Sequence, residues 1–218
     1  MKRVICVLMC MGLLTACGKA EVASDESSAD VVEVESTSSD ETSSEMSPEE
    51  LFKAFCAGTI KAEVKIADSD GESMDASYFQ FEGTAEDEID PNLYVTVADP
   101  VDLDNDGEVE FILENEIYGY TCFDCKDGKV VCFARGEGTT AVCDYTKYKD
   151  AYWIVHSDTS HEGRCTYELT KYDGNLDIVD SFNFGWEDWE DDGNKKYYKN
   201  DQDITKEEYE ALEAEVLE

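Results

Sequence analysis

The stretch Asp102–Glu110 carries the densest set of chemically useful side chains in this sequence. It reads Asp-Leu-Asp-Asn-Asp-Gly-Glu-Val-Glu, with acidic residues at alternate positions and Gly107 where the chain has to turn. A hard divalent cation such as Ca²⁺ takes about six to eight oxygen ligands. Because carboxylates at alternate positions of a tight loop converge on one point, the pattern predicts a cation site rather than a reaction centre.

The spacing also predicts which groups bind the cation. With Asp102 as position 1, positions 3 and 5 add carboxylates, position 7 adds a main-chain carbonyl and position 9 a further carboxylate. The predicted Ca²⁺ ligands are Asp102, Asp104, Asp106, the carbonyl of Glu108, and Glu110. An EF-hand needs a bidentate Glu at position 12 and a helix after it, whereas this sequence has Leu113 there, within a strand-like run. The alternative interpretation is a loop between two strands in which Asp and Asn serve only the turn geometry.

Cysteines offer a second kind of chemistry. Beyond residue 17 the chain has six of them: Cys56, Cys122, Cys125, Cys132, Cys143 and Cys165. An even number in an exported domain permits three disulfides, and free buried thiols are the open alternative. The spacing Cys122-x-x-Cys125 is that of a zinc knuckle, with the other cysteines, His156 and His161 as further ligands. A thioredoxin-type redox motif needs this spacing at a helix start, but here it falls in a predicted strand.

The hairpin around Lys126-Asp127-Gly128 predicts one specific cysteine pair. A three-residue loop with Gly128 in the left-handed region places Cys122 opposite Cys132, as a disulfide or as two thiols. A two-residue loop shifts the register and removes that pairing.

The sequence contains little that indicates catalysis. His156 and His161 are the only histidines available as a base, and no Gly-x-Ser-x-Gly motif is present. The 53 acidic residues allow many carboxylate pairs, so no single pair is favoured for glycoside hydrolysis. We therefore expect a non-catalytic protein, with an extracellular hydrolase or a cysteine-based redox or zinc protein as the alternative. Of Trp186 and Trp189, one is expected to pack on the sheet and the other to cover the end of the core, and binding of a sugar or basic peptide is their alternative role.

The first 45 residues are predicted to lie outside the fold. A short positive region precedes an apolar run that ends in Leu14-Thr15-Ala16-Cys17, and this segment resembles the lipobox of bacterial lipoprotein precursors. The resemblance implies a signal peptide at 1–16, lipidation of Cys17 by acyl chains such as palmitate, and a tether on the outer face of the bacterial cell membrane. An ordinary secretory signal is the alternative. Residues 17–45 are rich in Ser and acids, which predicts a disordered linker.

The charge of the chain limits its partners. Residues 1–16 contain Lys2 and Arg3 but no acid, so their removal changes the net charge from −36 to −38. Association with nucleic acid or with anionic lipid headgroups is therefore repulsive. The expected membrane contact is the N-terminal lipid, and the expected ligand is an unidentified protein, peptide or glycan. The same charge also suffices to keep an exported domain soluble without any partner.

Residues 46–218 predict one α+β domain. Ser47 and Glu50 form a capping box at the start of a helix, and Thr205 and Glu208 form another before a C-terminal helix. Between them, alternating apolar segments separated by turns predict about seven to nine antiparallel strands in a meander or curved sheet. A small barrel or a partial propeller is the alternative architecture. We expect a monomer.

Two resemblances follow from these motifs. The acidic loop is similar to the Asp-x-Asp-x-Asp-Gly loops that join strands in integrin-type repeat domains, and that resemblance implies a structural Ca²⁺. The order of lipobox, acidic linker, first helix, acidic loop and closing Ile204-Thr205-Lys206-Glu207-Glu208-Tyr209 helix resembles a group of clostridial surface lipoproteins of the gut. This second resemblance covers most of the chain, implies location and fold more than activity, and leaves the cysteines at 122, 125, 132 and 143 unmatched.

Overall fold

The computed structural model describes residues 46–67, 69, 71–81, 91–188 and 194–217. The predicted signal peptide, Cys17, the linker and Trp189 lie outside these residues. The described residues form two α-helices, α1 (Pro48–Cys56) and α2 (Lys206–Leu217). The strands in chain order are β1 (Ala62–Val64), β2 (Ser73–Met74), β3 (Gln80–Phe81), β4 (Tyr94–Val97), β5 (Phe111–Asn115), β6 (Gly119–Lys126), β7 (Lys129–Arg135), β8 (Val142–Tyr148), β9 (Ala151–Asp158), β10 (Arg164–Tyr172), β11 (Ile178–Glu187), β12 (Lys196–Lys199) and β13 (Gln202–Ile204). Within the same residues, no helix has the length and apolar character needed to span a membrane.

Local capping determines where both helices begin. The Ser47 hydroxyl accepts the Glu50 N–H at 3.3 Å, and the Glu50 carboxylate accepts the Ser47 N–H at 2.8 Å. Thr205 and Glu208 exchange the same pair of bonds at 3.2 and 2.8 Å. Both predicted capping boxes are therefore confirmed. The buried faces of the two helices consist of Leu51, Phe52 and Phe55 in α1 and of Tyr209, Leu212 and Val216 in α2.

One open sheet of 13 strands makes up most of the described chain, so the protein is mostly β with two helices. The hydrogen-bonded order is β13-β12-β11-β10-β9-β8-β6-β5-β4-β3; β7 pairs with β6 and β1, and β1 pairs with β2. Most pairs are antiparallel, but β1–β7, β3–β4 and β6–β8 are parallel. The prediction of seven to nine strands, all antiparallel, is wrong. Strands β2 and β3 have two residues each, too few for an alternating pattern to be recognised. Parallel pairs such as β1–β7 join segments far apart in sequence, so patterns of neighbouring residues do not indicate them.

The turn between β6 and β7 has two residues rather than three. Asp127 and Gly128 have φ of 52° and 76°, and the strands pair Lys126 with Lys129 across them. Positive φ at both central residues is the geometry that matches the twist of a tight hairpin. The shorter turn sets a register different from the one that a three-residue loop implies.

The predicted cross-strand pair of Cys122 and Cys132 is wrong for this reason. Cys132 lies opposite Phe123, and a β-bulge between Cys122 and Phe123 then places Cys122 opposite Ala134. Cys132 packs with Phe123 in one core cluster, while Cys122 packs in another. The two thiols therefore do not face each other across the hairpin.

In the described chain, three apolar clusters connect the sheet with the helices and with the acidic loop. Helix α1 packs on β6 and β7 over the first cluster, where Phe52 stacks on Phe111 with ring centroids 4.8 Å apart. The second cluster contains Leu103 of the acidic loop, fully buried among strand residues such as Ile112. Helix α2 covers the third cluster through Tyr209 and its neighbours. The acidic loop is thus anchored in the core by an apolar side chain inside its own acidic run.

Candidate cation site

The acidic loop connects β4 to β5 and is closed at its base by main-chain bonds. Val101 and Glu110 exchange N–H···O bonds of 3.1 and 2.9 Å. The Glu110 side chain is buried, and its Oε2 atom accepts the N–H groups of Leu103 and Asp104 at 2.5 and 3.1 Å. Glu110 therefore holds the backbone at the start of the loop against its end.

Short-range bonds from aspartate side chains shape the turn itself. Asp104 Oδ1 accepts the Asp106 N–H at 3.1 Å, and Asp106 Oδ1 accepts the Glu108 N–H at 2.8 Å. These are the local bonds by which Asp side chains stabilise turns. Asn105 and Gly107 have φ of 66° and 95°, a left-handed conformation that Asn tolerates and Gly adopts freely.

Asn105 also attaches the loop to strand β9 of the sheet. Its Oδ1 accepts the Tyr152 N–H at 2.7 Å, and its Nδ2 donates to the Tyr152 carbonyl at 3.2 Å. The side-chain amide thus pairs with the β9 backbone as another strand would. This contact fixes the middle of the loop, while Leu103 fixes its beginning.

Asp102, Asp104 and Asp106 come together as the spacing predicts. Each offers one carboxylate oxygen, and the three oxygens lie within 4.8 Å of one another. Asp104 is 2% exposed, and Oδ1 of Asp102 is buried without a hydrogen-bond partner among the described residues. Oxygens at this separation can share a cation at ligand distances of about 2.3–2.6 Å. In the part of the chain that the structure describes, no other group of three or more His, Cys, Asp or Glu side chains meets the same condition.

The two remaining predicted ligands are placed differently. The Glu110 carboxylate is outside this group of three and is engaged by the loop backbone. The Glu108 carboxylate lies 3.5 Å from the Lys126 ammonium. Ligation by the Glu108 carbonyl and by Glu110 stays a prediction.

Burial and repulsion from nearby carboxylates raise the pKa of Glu110 and of Asp104. Burial, with added repulsion from Asp104, raises the pKa of Glu110 to about 8. Burial also raises the pKa of Asp104 to about 6, and the charges of Asp106, Asp124 and Asp102 add to the effect. A cation among them acts in the opposite direction, because a nearby positive charge favours the ionised form.

Lys126 is one of two residues beside the site that the sequence pattern did not reveal. Its Nζ atom lies 2.9 Å from Asp106 Oδ2. The bonds from the Glu108 N–H and from Lys126 hold the pKa of Asp106 below its ordinary value. Lys126 thus neutralises part of the charge that attracts a cation, and it competes for one oxygen of Asp106.

Asp124 is the second such residue, and it adds negative charge. Its pKa is raised, first by burial, and its charge in turn raises the pKa of both Asp104 and Glu110. Asp124 follows Phe123, which pairs with Phe111 next to Glu110. The β5–β6 register places Asp124 beside the acidic loop. No sequence motif indicates that register.

Four of the cysteines divide between two core clusters. All six are free thiols among the described residues. Cys122 and Cys143 belong to the cluster that contains Leu103, whereas Cys125 and Cys132 belong to the cluster under α1. The zinc-knuckle spacing Cys122-x-x-Cys125 is therefore split between two clusters and does not gather ligands at one point.

Ser160, His161 and Asp158 lie together but lack the geometry of a catalytic triad. Asp158 Oδ1 is 2.7 Å from His161 Nδ1, and Ser160 Oγ is 3.5 Å from the same nitrogen. A triad needs the acid and the nucleophile on opposite ring nitrogens, so that the proton can pass through the ring. Asp158, which is 2% exposed, also accepts a bond from Arg164 Nε at 2.5 Å, so its carboxylate is held between Arg164 and His161.

Trp186 packs as expected for a residue at the edge of the core. It is half-buried against the third cluster, and the Lys195 ammonium lies 3.3 Å from its ring centroid. This cation–π contact occupies the ring face that a sugar would need.

Comparison with known proteins leaves function to be argued from this geometry. No protein-family model matches the chain, and no curated protein and no solved structure matches it. The resemblance to clostridial surface lipoproteins stays a prediction.

Proposed function

We propose that this chain is an extracytoplasmic, lipid-anchored binding protein whose sheet is stabilised by a Ca²⁺ ion in the Asp102–Glu110 loop. One observation carries the cation part: three aspartate carboxylates converge within 4.8 Å, and the Asp102 Oδ1 atom is buried with no hydrogen-bond partner in the described part of the chain. A buried charged oxygen without a partner costs free energy. A bound cation removes that cost.

The role of the ion follows from what the loop connects. The loop joins the paired strands β4 and β5, its Leu103 side chain enters the second core cluster, and its Asn105 amide binds the β9 backbone. A cation that fixes the aspartates therefore ties two distant parts of the sheet to one rigid turn. This is a structural role, and no reaction is assigned to the site.

The convergence of three carboxylates favours Ca²⁺ over Mg²⁺, because Mg²⁺ is usually bound through one or two carboxylates and keeps several of its waters. Opposite ligands of an octahedral Mg²⁺ lie about 4.2 Å apart, and Mg²⁺ tolerates little distortion, whereas Ca²⁺ accepts longer bonds and irregular shells. The three aspartate oxygens lie within 4.8 Å of one another, an arrangement that the longer bonds of Ca²⁺ accommodate. The affinity expected for an extracellular site of this kind is on the order of 0.1–1 mM.

A titration of the purified protein with CaCl2 tests this proposal. Calorimetry is expected to show one site, and about 10 mM Ca²⁺ is expected to raise the Tm by about 3–10 °C, as follows from that affinity and the size of the domain. Chelation should reverse the increase, and MgCl2 at the same concentration should produce less than half of it. The proposal fails if neither heat of binding nor a Tm change is seen at that Ca²⁺ concentration.

The same titration has a pH dependence with a defined sign. In the fold the pKa of Glu110 (about 8) and of Asp104 (about 6) lie above their ordinary values of 4.5 and 3.8. The metal-free protein therefore loses stability through these groups as the pH rises from about 4 through 8. Ca²⁺ also has to displace their protons, so the Tm increment is expected to be larger at pH 8 than at pH 6. Equal increments at the two pH values contradict a site built from these carboxyls.

The lipid anchor rests on the sequence of residues 14–18, Leu-Thr-Ala-Cys-Gly, in which small residues precede Cys17. When the full gene is expressed in a bacterium grown with radiolabelled palmitate, the protein is expected to carry the label and to fractionate with membranes. Cys17→Ala should lose the label. A wild-type protein that stays unlabelled refutes the anchor and leaves the cation site untouched.

A further inference from the structure

A surface cleft lies where the end of β7 meets the turn between β5 and β6. Its volume is about 370 Å³, within the range of about 300–1,000 Å³ that is typical of small-molecule sites. The residues that line it are Tyr78, Tyr118, Arg135, Gly136, Glu137 and Gly138. None of them belongs to the acidic loop, so the cleft is a candidate ligand site apart from the cation site.

Tyr118 is fixed by its main chain while its side chain stays accessible. The buried Asn115 side chain accepts the N–H groups of Ile117 and Tyr118 at 2.9 and 3.0 Å. The Tyr118 carbonyl accepts the Cys143 N–H at 3.1 Å. Tyr118 is nevertheless 40% exposed. The turn therefore presents a tyrosine ring to solvent from a rigid backbone.

Tyr78 and Arg135 form a second aromatic part of the lining. Tyr78 ends a short 3₁₀ turn (Ala76–Tyr78) that Asp75 caps, and its ring meets the buried Phe79 ring edge-on at a centroid distance of 5.3 Å. Arg135 Cζ lies 5.8 Å from the centroid of the Tyr78 ring, a cation–π contact. Tyr78 is still 65% exposed. Rigid tyrosines give a large contact area at a low cost in conformational entropy.

Close backbone packing joins the two parts of the cleft. A Cβ at Gly136 would overlap the Tyr118 carbonyl oxygen, so only glycine fits there. The Glu137 N–H donates to the Ala141 carbonyl at 3.0 Å, which closes the loop after β7. The segment that carries Arg135 and Glu137 is thus held against the turn that carries Tyr118.

Arg135 and Glu137 bring one charge of each sign to the cleft. Neither side chain forms an ion pair with a described residue, although they are two positions apart and the chain has 53 acidic residues. The guanidinium N–H groups can therefore donate to a ligand, and the carboxylate oxygens can accept from it. Such a pair suits an uncharged ligand that both donates and accepts hydrogen bonds.

We propose that this cleft binds a neutral sugar ring of a glycan. The proposal names a ligand class for the binding role proposed above and rests on that role, but it does not depend on the cation site. A sugar ring has hydroxyls that donate and accept, which match Arg135 and Glu137. It also has a C–H face that packs on an exposed tyrosine ring.

Other ligand classes match the cleft less well. Glu137 and the net charge of −36 oppose an anion, and Arg135 opposes a cation. Among the described residues, no aliphatic side chain lines the cleft, so it offers no apolar pocket of the kind that anchors a protein or peptide partner.

Saturation-transfer NMR with the full chain tests the proposal. The neutral probes are oligosaccharides of glucose, galactose, mannose or xylose, and the charged probes are oligogalacturonate and oligolysine. At least one neutral probe is expected to bind with a Kd on the order of 1 mM or below. Its affinity should change less than about twofold between about 50 and 500 mM NaCl, because no net charge is involved. The proposal is overturned if no neutral probe binds, or if only a charged probe does.

The same measurement with CaCl₂ and with EDTA separates this outcome from that of the cation site. Sugar binding is expected in both buffers, because no residue of the acidic loop lines the cleft. A protein that binds no Ca²⁺ but binds sugar supports the cleft alone, and the reverse result supports the cation site alone.

Substitutions of exposed side chains locate the site. Tyr118→Ala and Glu137→Gln should each weaken binding of the sugar about tenfold, whereas Tyr118→Phe should keep most of the affinity because the ring stays. Tyr198→Ala, which changes a half-buried tyrosine of β12 outside the cleft, should bind as wild type. Unchanged affinity in both Tyr118→Ala and Glu137→Gln overturns the proposal. If Tyr118→Ala does not fold, Glu137→Gln decides, because Glu137 is exposed.

Discussion

Asp104→Asn is expected to abolish the stabilisation by Ca²⁺ and, at pH 8, to raise the melting temperature of the metal-free protein. The amide that replaces the carboxylate keeps an oxygen to accept the Asp106 N–H, but it removes a buried charge from a group in which burial and like charges oppose ionisation. The lost response to about 10 mM Ca²⁺ corresponds to about 1.4–2.7 kcal/mol for a site of about 0.1–1 mM affinity. Thermal melts with and without Ca²⁺ measure both effects.

The combination of a lost Ca²⁺ response and a higher Tm without metal distinguishes loss of a ligand from damage to the fold. A variant that is merely misfolded has a lower Tm both with and without Ca²⁺. Asp203→Asn is the matched control, because it removes one carboxylate from the exposed strand β13 and should keep the full Ca²⁺ response. If Asp104→Asn retains that response, the aspartate group is not the site, whatever the wild type binds.

Lys126→Met is expected to strengthen Ca²⁺ binding at the same site. The Lys126 ammonium lies 2.9 Å from Asp106 Oδ2 and is 41% exposed, so it competes with a cation only as a partly solvated charge. Removal of such a pair is worth about 0.2–1 kcal/mol, which predicts a Ca²⁺ affinity about threefold tighter by calorimetry. A weaker affinity in this variant means that Lys126 orients Asp106 for the ion rather than competing with it.

Gly119→Ala is expected to cause the largest loss of stability of any conservative substitution considered for this protein. Gly119 has φ +75°, and a Cβ at this position would overlap the carbonyl oxygen of Cys143. The left-handed conformation costs a non-glycine residue about 1–2 kcal/mol, and forcing an atom into a packed backbone contact costs about 1–3 kcal/mol more. Urea unfolding should show a loss of about 3 kcal/mol or an unfolded protein.

Gly128→Ala isolates the conformational part of that cost. Gly128 has nearly the same φ, +76°, but no heavy atom of the described chain lies within 4 Å of its Cβ position. Its substitution by Ala should therefore cost only about 1–2 kcal/mol. Equal losses for the two variants indicate that β6 and β8 are not in close contact at Gly119.

Features determined by neighbouring residues were predictable from the sequence. The two capping boxes need only a Ser or Thr and a Glu three residues later, and both formed as expected. The convergence of Asp102, Asp104 and Asp106 is of the same kind, because alternating spacing and two residues with positive φ suffice to bring the carboxylates together.

Features that depend on strand register were not predictable. The Cys122–Cys132 pair failed because a two-residue turn and a bulge moved the register, and a bulge has no sequence signal as strong as a cap. Lys126 and Asp124 reach the acidic loop only because β6 pairs with β5 beyond it. The parallel pairing of β6 with β8 depends on the close approach of the Gly119 and Cys143 backbones.

The sequence by itself determined where the two helices begin, the acidic turn and the ligand types that the turn presents, because each depends on residues a few positions apart. The tertiary structure decided which charges oppose or reinforce the turn and which thiols share a core cluster. It also decided that the Glu110 carboxylate accepts two N–H bonds from the loop backbone. Those outcomes depend on pairing between strands that are distant in sequence, where a shift of one residue exchanges the buried and exposed faces of a strand. Local patterns do not carry that information.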